Sequence, residues 1–206
     1  MPDGGVLPAP TRLSDELTRW LHRGDTTLGG LVALFGPKSF SVTFVVLMAV
    51  PALPLPTGGA THVFEILVAL GAVQLIAGRD EIWIPARWRG VNVGGKDGNS
   101  RFIRAMLWVI RTLERVSRPR MSRLFGRRLS TAAFGLLVLC GTVGAFLAPP
   151  FTGLDTLPSL GVVVLALGVL LEDAAIVLVG VAVGAAGIAL EIFLAATLIH
   201  AAGQLL

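Results

Sequence analysis

Four acidic residues stand within or at the ends of long apolar stretches: Glu65, Glu172, Asp173 and Glu191. An ionised carboxylate in hydrocarbon costs about 2.5–3.5 kcal/mol or more unless it is paired or hydrated, so residues of this kind are candidates for proton or cation handling. Glu65 follows His62 by three residues, one helical turn, which makes a proton-sensitive pair; the plain alternative is a carboxylate reaching the outer headgroup region. Glu172 and Asp173 close an apolar stretch, and Asp173 is suited to cap a helix beginning at Ala174. Glu191 belongs to the run from Ala174 to Ala202. It is deep if one helix spans that run and superficial if the helix turns near Gly187. Gln74 can hydrogen-bond across two neighbouring helical units or simply pack between them.

The second chemical set is basic. On a helix from Phe102 to Arg118, Arg104, Arg111, Arg115 and Arg118 fall within about 40° of one direction, opposite Phe102, Met106, Val109, Leu113 and Val116. Arg79, Arg87 and Arg89 precede this face, and Trp83, Trp88 and Trp108 suit the membrane interface. Such a surface neutralises anionic lipid headgroups at about 1 kcal/mol per residue. Because guanidinium grips phosphate oxygens as a fork, it also suits the phosphate or diphosphate of a polyprenyl-linked sugar.

Other chemistries are not supported. Cys140 is the single cysteine, sits in an apolar stretch and reads as a packing residue; His22, His62 and His200 lack metal-ligand spacing. No metal or other cofactor is expected. Without a nucleotide loop, a Ser/His/Asp set or paired carboxylates in a roomy polar setting, the chain does not read as an enzyme. The basic residues lie beside apolar segments and form no recognition module, so nucleic acid is not an expected partner. Residues 1–10 lack the pattern of a cleaved signal peptide, so the chain is expected to be retained whole.

The elements that must position these residues are apolar helices. Of 206 residues 54% are hydrophobic and 15% charged, and the mean hydropathy is +0.78; this implies an all-α integral membrane protein. The apolar stretches run from Phe40 to Leu53, Val63 to Ala77, Leu129 to Ala148, Leu157 to Leu171 and Ala174 to Ala202. All 17 Lys and Arg precede position 129, four from Arg12 to Lys38 and thirteen from Arg79 to Arg128. With positive loops inside, the N-terminus and the middle segment are cytoplasmic, and the stretch between them goes in and returns as a hairpin.

Its tip carries Pro51, Pro54, Pro56, Gly58 and Gly59. A second hairpin turns at Pro149, Pro150 and Gly153. Residues 72–79 match residues 166–173, which indicates an internal duplication with both copies in the same orientation. Arms of about 15 residues reach ~22 Å against a ~30 Å hydrocarbon core, so partly re-entrant hairpins are an alternative to full crossings. The segments are therefore 1–38, with interfacial helices near Ser14 and from Leu28 to Phe35; 39–78, the first hairpin; 79–128, basic and interfacial; 129–173, the second hairpin; and 174–206, a C-terminal membrane helix.

Gln74 to Arg79, Trp83 to Pro85, Leu113 to Arg115, Arg118 to Arg120, Gly126 to Arg128, Leu157-Pro158 and Ala166 to Asp173 occur in an order that resembles the ExoD family of bacterial exopolysaccharide-synthesis membrane proteins. The likeness runs from about Leu13 to about Leu190. It departs at Asp80, Glu81 and Ile82, where the family more often carries proline and basic residues. The resemblance implies a bacterial inner-membrane protein tied to exopolysaccharide production. Parallel repeats, broken hairpins and intramembrane acids fit a translocase for a lipid-linked saccharide or related anionic solute. A non-catalytic assembly or regulatory subunit of the synthesis machinery, and an ion or proton carrier, are the other readings. A homodimer enclosing a larger cavity is compatible with each.

Overall fold

The computed structural model describes residues 27–35, 38–53, 61–80, 82–83, 85–90, 128–149 and 152–203, with single positions 15, 18, 19, 108, 111 and 112. Every regular element among them is helical: α1 Leu28–Phe35, α2 Ser39–Met48, α3 His62–Ile76, α4 Ala86–Arg89, α5 Arg128–Leu147, α6 Thr156–Leu170 and α7 Ala174–Gly203. Of the arginine face foreseen from Phe102 to Arg118, only Arg111 falls here, beside Trp108 and Thr112; Arg104, Arg115 and Arg118 lie outside the described residues.

Two helical hairpins, α2–α3 and α5–α6, form the centre and pack crosswise. The second helix of each lies on the first helix of the other, α3 on α5 and α2 on α6. This exchange encloses α2, whose ten residues are all buried. A helix apolar on every side belongs in an interior. Phe44 is its pivot, with ring centroids 6.1 Å from Phe40 and 5.9 Å from Phe134. Leu47, Met48, Val68, Val138 and Leu167 fill the space around it. At ~1.5 Å per residue α2 is ~15 Å long, α3 and α6 ~22 Å, α5 ~30 Å and α7 ~45 Å.

Both hairpins end in the same turn. After α3, Gly78 N–H donates to Leu75 O at 3.0 Å and Arg79 N–H to Gln74 O at 3.1 Å. After α6, Glu172 N–H donates to Val169 O at 3.1 Å and Asp173 N–H to Gly168 O at 2.9 Å. These paired bonds make a Schellman motif, which needs a left-handed residue at its turn. Gly78 supplies it at φ 83° in the first hairpin, Glu172 at φ 56° in the second. Asp173 then accepts the Ala175 N–H on Oδ1 at 2.9 Å, starting α7 as a cap does.

The helix that follows is continuous past Gly187 and folds back along α6. The approach is close enough that a Cβ on Gly161 would overlap the Gly184 backbone, and one on Gly187 would reach Pro158 Cδ at 2.6 Å. Among the described residues, two helices are long and apolar enough to cross a membrane, Ser130–Leu147 and Ala174–Thr197, and of the latter window only 17% is buried.

Candidate functional site at the hairpin tips

Antiparallel packing brings the start of α3, the end of α5, the start of α6 and the second half of α7 to one end of the bundle. His62 stacks on Phe146 with ring centroids 4.8 Å apart, whereas at the other end of α3 a Cβ on Gly135 would meet Ile76 Cγ1 at 2.8 Å. The spacing of His62 and Glu65 does what one helical turn permits: His62 Nδ1 lies 2.6 Å from Glu65 Oε2. The Glu65 side chain is 0% exposed, while that of His62 is 31% exposed and links it to the surface. The other carboxylate oxygen, Glu65 Oε1, is buried with no hydrogen-bond partner among the described residues.

Asp155, in the turn before α6, lies within electrostatic range of His62, Glu65 and Glu191. Its burial raises its carboxyl above the ordinary range, and its own backbone, His62 and the Thr156 backbone oppose that shift in part. Asp155 is thus the carboxylate that Glu65 and Glu191 have in common, and like charges within such range favour proton retention. Two hydroxyls nearby in sequence, on the first turn of α6, are also buried without a partner among the described residues: Thr156 Oγ1 and Ser159 Oγ. Among the described residues, no three His, Cys, Asp or Glu side chains are arranged to hold a metal ion.

Beside this cluster a groove of about 1010 Å³ runs between α5 and α7 under the second tip, lined by residues including Val143, Leu147, Leu154, Ile188 and Ile192. Its wall is apolar apart from a few groups, chiefly Glu191, Thr152 and Thr197. Glu191 Oε1 is buried and has no hydrogen-bond partner among the described residues. Cys140 also lines the groove and is exposed, not packed. It shares the outer stripe of α5 with Leu136, Val143 and Leu147, all exposed at helical spacing.

The remaining sequence candidates lie elsewhere. Gln74 does not reach the other hairpin: its Oε1 accepts the Trp83 N–H at 2.7 Å and its Nε2 donates to the Trp83 carbonyl at 3.0 Å. An amide has one donor face and one acceptor face, so it pairs with an extended backbone as a neighbouring strand would. The clamp seats Ile82 in the core near Gly71 and leaves Trp83 exposed. Arg79, Arg87 and Arg89 are exposed, and Arg79, just after α3, stands about 22 Å, the length of that helix, from its start at His62. Glu172 and Asp173 occupy the turn into α7, at the same end as Gly78 and Arg79.

Asp155, Ser159 and Phe146 were not singled out from the sequence. One signal was present. The register that pairs Gly78 with Glu172 also pairs Thr61 with Asp155 and Glu65 with Ser159, and in the fold Glu65 N–H and Ser159 N–H each donate to those partners' carbonyls at 3.1 Å.

The fold and site define an all-helical protein with membrane-length apolar helices and carboxylates gathered beside an apolar groove. The chain belongs to the family described as exopolysaccharide synthesis, ExoD, which it matches over residues 13–193. It is also similar to an uncharacterized protein of Synechocystis sp., 29% identical over 166 residues that cover 79% of this chain and 77% of that protein. No solved structure matches it. The family connects the chain with exopolysaccharide synthesis.

Proposed function

We propose that the chain is a multi-pass bacterial inner-membrane protein, N-terminus in the cytoplasm, that translocates a lipid-linked saccharide or related anionic solute during exopolysaccharide synthesis. The observation that carries this reading is the groove: an apolar cleft of about 1010 Å³ with one buried carboxylate oxygen, at Glu191, that has no hydrogen-bond partner among the described residues. An apolar wall suits a polyprenyl chain, and a carboxylate accepts hydrogen bonds from sugar hydroxyls. The outward faces support a lipid surround, because Val63, Ile66, Leu70 and Val73 on α3 and Leu178, Val179, Ile192 and Phe193 on α7 are exposed.

In this reading the hairpins are parallel repeats about an axis along the membrane normal, and α2, at ~15 Å, enters without crossing the ~30 Å core. The crosswise packing and the shared cap at Gly78 and Glu172 favour that arrangement. Arg79, Arg87 and Arg89 face anionic headgroups on the cytoplasmic side. The protein performs no covalent chemistry.

The test is a deletion strain complemented with wild type, Glu191→Gln or Val143→Trp, the last filling the groove from an exposed position. Polymer output and the leaflet position of the lipid-linked intermediate are measured. The expected result is intermediate held on the cytoplasmic leaflet in the deletion strain and in both variants. If both well-expressed variants restore normal output, the groove is not the path, and a non-catalytic subunit of the synthesis machinery replaces this reading.

A further inference from the structure

We infer that His62, Glu65, Asp155 and Glu191 form one proton-exchange site shared by the first hairpin, the second tip and the C-terminal helix, and that its occupancy by a proton is coupled to the groove. The inference rests on the translocation reading and adds the ion that drives it.

Three independent features point to a proton. Glu65 is 0% exposed, and its Oε1 has no hydrogen-bond partner among the described residues. A buried acceptor of that kind is costly unless something fills it, and a proton on the carboxyl converts it to a neutral acid. His62 bridges this buried group to the surface, with Nδ1 on Glu65 Oε2 at 2.6 Å and the ring 31% exposed. This is the arrangement of a relay, in which the imidazole takes a proton from water and passes it to the carboxylate. Finally, Leu154 and Glu191 line the same groove, so the chain position preceding Asp155 already touches the wall that carries the second unpartnered carboxyl oxygen.

The groups facing the site from each packed element are few. Helix α3 gives His62 and Glu65, the turn before α6 gives Asp155, and α7 gives Glu191. From α5 come Phe146 against His62 and Cys140 on the groove wall; α2 contains no titratable side chain. The site thus holds three acids and one imidazole, and among the described residues no lysine or arginine is coupled to them. One proton removes one negative charge and relieves the repulsion among the rest. Because the acids lie on separate elements, proton loss pushes Glu191 away from Asp155 and alters the groove between α5 and α7. No bond other than O–H or N–H forms or breaks, and water supplies and receives the proton.

The test is an infrared titration of the full-length protein in liposomes, following the carbonyl band of protonated carboxyl groups against pH. Wild type should show a carboxyl that titrates in the membrane. Glu65→Gln should remove it, and Asp155→Asn and Glu191→Gln should each shift the midpoint of what remains, since coupled groups titrate as one unit. Sodium at fixed pH should leave the wild-type band unchanged. A band indifferent to all three substitutions overturns the inference, as does displacement by sodium, which would make this a cation site. The titration needs no saccharide. A chain that titrates as described while its loss leaves the lipid-linked intermediate unaffected refutes translocation alone; one that translocates without the titration refutes the proton site alone.

Discussion

Two glycines that touch each other should respond to the same substitution with opposite signs. At the α6–α7 crossing a Cβ on Gly161 would overlap Gly184 Cα and approach the Gly180 carbonyl oxygen to 3.0 Å. These atoms belong to backbone, which cannot rotate aside, so Gly161→Ala must push α7 off α6 by roughly 1 Å to restore ~3.5–4.0 Å carbon contacts. Overpacking of this sort costs about 1–3 kcal/mol, offset by up to ~1 kcal/mol because alanine is the better helix former. A Cβ on Gly184 points differently and finds its nearest heavy atom, Gly161 Cα, at 3.7 Å. Gly184→Ala therefore meets only ordinary contact and should gain about 0.5–1 kcal/mol from helix propensity. Unfolding of the purified protein in mixed micelles, followed by circular dichroism against denaturing detergent, compares the two with wild type. If Gly184→Ala destabilises as much as Gly161→Ala, the proposed interhelical geometry is wrong.

Glu172 sits at φ 56° where the equivalent turn has Gly78, so Glu172→Gly should stabilise by about 1 kcal/mol and Gly78→Ala should destabilise by about 1–2 kcal/mol in the same assay. Gln74→Leu removes both hydrogen bonds to Trp83; it should raise amide exchange across residues 79–85 by one to two orders of magnitude, about 1–3 kcal/mol for two bonds, without unfolding the bundle. Burial raises the Asp155 carboxyl, so the folded state holds its proton more tightly than the unfolded chain does. Its contribution is present below the ordinary carboxylate range and lost as pH rises through the folded value. Asp155→Asn should therefore gain on wild type as pH rises toward neutrality and lose that advantage in acid, a trend that detergent unfolding at several pH values reads directly.

The helices were largely legible because long apolar runs bounded by proline, glycine and charge leave few choices. The expected stretch from Leu157 to Leu171 stands against the observed α6, Thr156–Leu170, and that from Leu129 to Ala148 against α5, Arg128–Leu147. The pairing of His62 with Glu65 followed from one helical turn, and the cap at Asp173 from its position before Ala174. What escaped depends on which helices lie side by side. Gln74 bonds to a segment nine residues along its own chain, and no pattern distinguishes that from a bond across hairpins. Cys140 shares a face of α5 with Gly144, one turn on, and is exposed because that face borders the groove between α5 and α7, which depends on how the two helices pack. Asp155 was not singled out because its sequence surroundings, a turn after proline and glycine, carry no sign of a partner; only the crosswise packing brings it within range of His62, Glu65 and Glu191.

The enclosure of α2 constrains how the protein is made. All ten of its residues contact protein, and α6, a main part of that wall, is translated more than a hundred residues later. In the proposed membrane setting, α2 emerges with only α1 and α3 against it, and backbone left unsatisfied is not tolerated in lipid. The burial of its remaining face is completed only when the second hairpin arrives. In ribosome-bound chains carrying Cys140→Ser and Ser41→Cys, those stopped before residue 156 should leave the introduced thiol accessible to water-soluble probes, and those extended beyond α6 should protect it.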